Sequence, residues 1–294
     1  MVRRRDFLKF GATAAISFTI PIESFADKKS EVFVMESENH RKATESIIEM
    51  LGGINRFISK GDIVAVKPNM AWAREPEYAA NTNPAVVAEV VRLCYKAGAK
   101  RVIVTDNPCN NPRSVFSLSK IPEYAHKENA KVFVPQNRHY KIMNIQGKFL
   151  REWPVLEVFK KVDKVINIPV AKNHSSSIVT IGMKNWMGAI GGNRGYLHQN
   201  LHQAIFDLAM FFRPTLTIVD CTRIMLKGGP SGGDLKYVKK LNRVVASLDF
   251  VAADAVACEY LGYNPKDVGY LKLANEYKVG NIHKSAINLI YEKI

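Results

Sequence analysis

The sequence predicts an α/β protein with a mainly parallel or mixed sheet flanked by helices. Three observations predict it. Short apolar runs of strand length alternate with longer segments of helical period, several of the strand runs are continuously apolar, as buried parallel strands are, and several end in clusters of polar residues. With 294 residues, 47% of them hydrophobic, the chain can bury a substantial core as one domain or two subdomains, and it does not have the composition of a disordered chain.

The elements follow in order. Residues 31–35 form an apolar strand, 41–58 a helix, and 62–66 a strand running into Lys67-Pro68-Asn69, which together give β-α-β. A polar loop over 70–83 leads to a helix that Pro84 opens in its first turn and Gly98 ends. The strand over 101–105 stops at Asp106-Asn107-Pro108, where α/β proteins place ligand-binding groups. A helix is expected over 113–129, a strand over 131–134, a helix over 156–161 and a strand over 164–170, which precedes Lys172-Asn173-His174. Residues 175–192 mix small and apolar side chains, and a helix over 197–212 is separated by Pro214 from a strand over 216–221. The Gly-rich turn 228–233 precedes a strand over 244–248 and a helix over 250–261, with Asp249 as its cap. There is no internal repeat.

The first residues form a leader. Arg4-Arg5-Asp6-Phe7-Leu8-Lys9 is a charged n-region, 10–22 an apolar h-region, and Ser24-Phe25-Ala26 a small-x-small cleavage site. The apolar run is shorter than the roughly 20 residues of a spanning helix. The order resembles a twin-arginine signal, departing where Arg3 stands in place of the usual Ser or Thr. The expectation is a signal peptide over 1–26, a body over 27–294 without a membrane span, the twin-arginine export machinery as a partner, and a periplasmic or otherwise extracytoplasmic location.

The formal net charge is +15, and the leader holds only four basic and two acidic residues, so most of the excess lies on the body. Such a field attracts anions, but no Lys/Arg block with interleaved aromatics forms a nucleic-acid module, and nucleic acid is not expected as a partner. Cys94, Cys109, Cys221 and Cys258 stand far apart with no C-x-x-C pair. That pattern excludes a cysteine-rich zinc site and gives no reason to expect an iron–sulfur cluster. Cys94 and Cys258 read as core, and Cys109 with Cys221 as the pair open to a disulfide.

Several residues suit chemistry. His198 and His202 are four apart at the start of a predicted helix, a spacing that can hold one metal, and His174 after its strand supplies a third imidazole. With Asp106 or Asp220, a His/carboxylate site for a transition metal is the expectation. Lys67, Lys172, Lys184 and Arg194, with Asn69 and Asn185, are candidates to clamp an anion. Asp106, Asp254 and Lys184 are the candidate catalytic groups, Asp254 because a carboxylate between Ala253 and Ala255 on an apolar helix suits a general base. The 228–233 turn offers backbone N–H groups to an oxyanion, but it lacks both glycine-rich nucleotide fingerprints, and no Gly-x-Ser-x-Gly elbow occurs.

Lys67-Pro68-Asn69, Asp106, Lys172-Asn173-His174, residues 180–188, the His198/His202 pair, Asp220, Gly228-Gly229-Pro230 and 249–254 together resemble the family described as domain of unknown function 362, over nearly the whole body. Met183-Lys184-Asn185-Trp186-Met187-Gly188 with the downstream histidines is similar to its twin-arginine-exported branch. Relatives with ferredoxin-like modules imply redox surroundings and a redox partner, although this chain lacks the cysteines for a cluster. The expected function is an extracytoplasmic metal-dependent enzyme acting on a small anionic molecule. The alternative is a non-catalytic periplasmic protein that binds a ligand, a metal or a redox partner.

Overall fold

The computed structural model describes residues 29–294. The expected leader and its cleavage point lie outside the described residues.

Strand β1 (Ser30–Glu36) sends Val32 and Val34 to one face of the sheet and Met35 to the other. Helix α1 (His40–Met50) starts at Asn39, whose side chain accepts from Lys42 N. The helix expected over 41–58 stops early because Gly52 and Gly53 both take positive φ, and a 3-10 turn, Ile54–Arg56, leads on to β2 (Ile63–Pro68). Helix α2 (Pro84–Lys96) is capped by Asn83 and opens on its proline, and β3 (Arg101–Val104) follows. The single helix expected over 113–129 is two, α3 (Pro112–Leu118) and α4 (Ile121–Lys127). Lys120 turns left-handed between them, and Pro122 fits only the first turn of a new helix.

After β4 (Lys131–Val132) comes a hairpin that the sequence did not announce, β5 (Tyr140–Asn144) and β6 (Glu152–Leu156), and then the short α5 (Val158–Lys161). The strand expected over 164–170 breaks at Pro169 into β7 (Lys164–Ile168) and β8 (Val170–His174), and β8 turns back as β9 (Ile178–Thr180). Helix α6 (Gly182–Asn185) and a 3-10 stretch (Arg194–Asn200) precede α7 (Leu201–Phe212), β10 (Leu216–Met225), β11 (Val238–Ser247) and α8 (Phe250–Tyr260). Helix α9 (Gly269–Glu276) and β12 (Ile287–Lys293) complete the described chain.

The main sheet runs β12-β1-β11-β10-β7-β2-β3-β4, with β8 joined to β10. From β10 to β4 every pairing is parallel, whereas β11 is antiparallel to both β10 and β1, so the sheet is mixed. Helices α1, α2 and α4 cover one face over Val64, Val66, Val102 and Ile166, and α7, α8 and α9 cover the other over Ala65, Val165 and Val219. Each fully buried Val or Ile contributes roughly 1.5–3 kcal/mol on burial, which fixes strand register wherever both faces are covered. Among the described residues no helix is long and apolar enough to cross a membrane. Because β2, β3 and β7 are parallel, the residues that follow them gather at one edge of the sheet, and β8 delivers its end to the same place.

Candidate functional site

A cavity of about 430 Å³ opens at that edge, and Lys67, Asp106, Lys172, His174, Lys184 and Arg194 line it. Asn69, Asn185 and His198 line it as well, so the structure brings nine of the sequence-predicted site residues together.

Lys67 occupies the floor. Its ammonium has three oxygen partners, Asp106 Oδ1 at 2.9 Å, Asn185 Oδ1 at 2.8 Å and the Pro68 carbonyl at 2.9 Å, which use all three of its protons. Asp106 is equally committed, because Oδ2 accepts from Met70 N at 2.6 Å and Oδ1 also accepts from Asn107 N. Burial pulls the Lys67 ammonium below its ordinary range and lifts the Asp106 carboxyl above its own, each opposed by the other's charge. Gly188 makes room for this pair, since a Cβ there would overlap Asp106 Oδ1 and come within 2.7 Å of Lys67 Nζ.

The asparagines extend the same network. Asn185 donates to Asn167 Oδ1 at 2.9 Å and to the Lys67 carbonyl at 3.2 Å, while Asn69 donates to Asn185 and accepts from Lys172 Nζ at 3.2 Å. Lys172 donates in addition to the Ala80 carbonyl. Arg194 reaches back to the strand-end loop, donating to the Asn107 and Pro108 carbonyls at 2.9 and 2.8 Å. Lys184 differs from the other cations, because it is 8% exposed and, among the described residues, its only hydrogen-bond partner is Met187 Sδ at 3.6 Å. Desolvation and the neighbouring Lys184 bring Lys172 down to about 7, and desolvation brings Lys184 down to about 8.

His174 ends β8 and is held by the turn that follows it. Its Nδ1 faces two backbone donors, Ser176 N at 3.1 Å and Ser177 N at 3.4 Å, so Nδ1 carries no proton and Nε2 is the N–H. Burial and the lysine charges push this imidazole down to about 3, which keeps it neutral. A neutral imidazole that ligated a metal through Nε2 would need its proton on Nδ1, where the turn offers only donors.

His198 stands at the cavity, whereas His202, Asp220 and Asp254 stand elsewhere. His198 and His202 do not share a helix face, because the chain is 3-10 through Asn200 and becomes α-helical only at Leu201, which changes the rotation per residue between them. His202 packs instead against Gly269 and Tyr270 of α9. Asp220 accepts from Asn83 N at 2.7 Å and from the Thr222 amide and hydroxyl, which ties β10 to the start of α2. Asp254 accepts from Gly182 N and Met183 N, both at 2.8 Å, and so caps α6 from behind the cavity. Among the described residues no group of three or more His, Cys, Asp or Glu side chains is placed to hold a metal ion. The expected His/carboxylate centre is therefore not assembled by His174, His198, His202 and Asp220. All four cysteines are free, Cys221 buried and Cys109 exposed, so the pair open to a disulfide is not joined. In the Gly-rich turn, Gly229 N donates to Asn173 Oδ1 at 2.7 Å rather than into the cavity.

Sequence reasoning missed Cys109 and Thr180, which both line the cavity. Cys109 was legible as a neighbour of Asp106 in the same strand-end loop. Thr180 was not, because it reaches the site only by pairing opposite Lys172 across the β8–β9 turn.

Comparison with solved structures finds the lactate racemase apoprotein of Thermoanaerobacterium thermosaccharolyticum, with a TM-score of 0.49 and 11% identity, over 80% of this chain and 57% of that one. A protein of Thermotoga maritima matches with a TM-score of 0.42 and 11% identity, over 77% of this chain and 60% of its own. The chain thus spans less than two thirds of either. A thylakoid-associated protein of Synechocystis sp. is 26% identical over 231 residues, which cover 76% of this chain and 70% of that protein. The model of the family described as "Domain of unknown function (DUF362)" matches residues 64–259, which hold every residue lining the cavity, and the chain belongs to that family.

Proposed function

We propose that this chain is an exported enzyme whose cavity takes a small anion, a carboxylate or a phosphate, between Lys172, Lys184 and Arg194. The observation that carries the reading is the charge balance of the lining. Four cationic side chains, Lys67, Lys172, Lys184 and Arg194, face the cavity with one carboxylate, Asp106, and that carboxylate is already paired with Lys67. Desolvated cations without counterions are costly, and an anion in the cavity offsets that cost while gaining charge-assisted hydrogen bonds. Neutral His174 adds an Nε2–H donor on the same wall. Lysines brought toward neutrality beside other cations suit proton transfer or nucleophilic attack, which favours an enzyme over a passive binder. No resident metal is part of this reading, because backbone amides hold His174 Nδ1 and Asp220, His202 packs against α9, and among the described residues no three such side chains are placed around one point.

Titration calorimetry of the full mature chain with oxalate and with inorganic phosphate tests the binding. We expect one site per chain and at least a tenfold loss of affinity in Lys172→Met, since one charge-assisted contact is worth about 1.5–3 kcal/mol. Failure of both anions to bind, or an unchanged Lys172→Met, overturns the reading. Location is tested separately by fusing residues 1–26 to a reporter that must fold before transport. Export that stops in Arg4→Lys/Arg5→Lys supports the twin-arginine route, and export indifferent to that change removes it.

A further inference from the structure

We propose that Lys184 is a nucleophile that forms an imine with a small 2-oxo acid. The inference rests on the anion-binding reading and names its substrate class.

Three lysines face the cavity, and two of them are occupied. Lys67 has an oxygen partner for each of its three protons, and Lys172 is held by Asn69 and the Ala80 carbonyl. Among the described residues Lys184 has no oxygen partner, although it is buried to 8% exposure and lines the cavity. A thioether is a weak acceptor, so the amine is neither stabilised as ammonium nor held away from a ligand. A second group points the same way. Thr180 lines the same cavity, and among the described residues its buried Oγ1 has no hydrogen-bond partner, although nearly all buried hydroxyls are satisfied. The cavity therefore presents an uncommitted amine beside the cations Lys172 and Arg194, and an unpaired hydroxyl lies buried in its wall at Thr180.

A 2-oxo acid matches this set. Its carboxylate meets the cations, its carbonyl oxygen meets a hydroxyl donor, and its electrophilic carbon meets the amine. Burial and the neighbouring charge of Arg194 bring Lys184 down to about 8, so an unprotonated fraction is present near neutral pH. In the reaction the amine lone pair bonds to the carbonyl carbon and the C–O π electrons move to oxygen. That oxygen leaves as water with two of the hydrogens originally on the lysine ammonium. The product is a C=N iminium carrying the remaining N–H, so an ammonium and a carbonyl compound become an iminium and water with charge conserved and no further reactant.

The full mature chain is incubated with pyruvate and cyanoborohydride near neutral pH, then analysed by intact mass and peptide mapping. The expected result is one carboxyethyl group per chain on the peptide containing Lys184, suppressed by excess oxalate and lost in Lys184→Arg. Modification scattered over surface lysines and indifferent to oxalate overturns the assignment. If Lys184→Arg does not fold, the peptide map and oxalate protection in the native chain decide alone. Oxalate binding with Lys184 left unmodified removes the imine and leaves the anion site standing, whereas absence of oxalate binding takes both down.

Discussion

Lys67 Nζ lies 2.9 Å from Asp106 Oδ1 with both side chains 1% exposed, an ion pair at the floor of the cavity. Removing one member leaves the other charged and buried, so Asp106→Leu should lower the unfolding free energy by about 3–5 kcal/mol. The double variant Lys67→Met/Asp106→Leu should lose less than the sum of its singles. Urea unfolding of the four proteins measures this, and additive losses would show that the pair is not coupled.

Gly188 carries no side chain where that pair sits. Gly188→Ala drives a methyl into Asp106 Oδ1, so the pair must shift or the loop must move. We expect about 1–3 kcal/mol of destabilisation together with weaker oxalate binding. Calorimetry indistinguishable from the native chain would mean that the loop relaxes freely.

Anion affinity should fall with rising pH. Lys172 near 7 and Lys184 near 8 lose their charge across that range, and the bound anion must then bring the protons back. Above about pH 8 the loss approaches about tenfold per pH unit for each proton taken up on binding. Titrations between about pH 6 and pH 9 in two buffers of different ionisation enthalpy count those protons; affinity flat across the range would place the anion elsewhere.

His174 should stay neutral with its proton on Nε2. The Ser176 and Ser177 amides both point at Nδ1, and burial holds the ring at about 3. Long-range nitrogen–proton correlation spectra between pH 5 and 8 should show an unprotonated Nδ1 throughout. A ring that titrates near the ordinary histidine value of about 6.5 would contradict the turn geometry.

Asp254 sets a pH dependence of stability. Desolvation raises it from 3.8 to about 7 although it accepts two backbone N–H groups, so the folded chain binds the proton more tightly than the unfolded chain. The stabilisation is complete below about pH 4 and is lost as the pH climbs through 7, at up to about 1.4 kcal/mol per pH unit. Asp254→Asn keeps one acceptor and removes the titration. Unfolding curves of the two proteins should therefore diverge in slope across this window, and parallel curves would refute the assignment.

Strand ends were the legible part of the site. Lys67, Asp106 and Lys172 follow or close apolar runs, and a parallel sheet collects such ends whatever the loops do. What the sequence hid was which carboxylates are spent inside the frame. Asp220 and Asp254 look as available as Asp106 in one dimension, yet each is taken by backbone amides of a distant segment, Asn83 and Gly182-Met183. The histidine pair failed for a local reason, since a spacing of four aligns side chains only if the helix is α throughout. The β5–β6 hairpin was missed because its residues are mostly exposed or half-buried and so carry no apolar run.

The pairing of β1 with β12 also governs how the protein forms. Glu36 Oε2 accepts from Tyr291 Oη across a separation of 255 residues, and the whole β1–β12 ladder joins segments equally remote. Contacts that close so long a loop give little until most of the intervening chain is ordered, so folding is expected to be slow for a domain of this size. Until β12 docks, β1 has one free edge lined with unpaired backbone groups, a template for association with other chains. The outer ladder thus makes this protein a candidate client for chaperones that shield exposed strands.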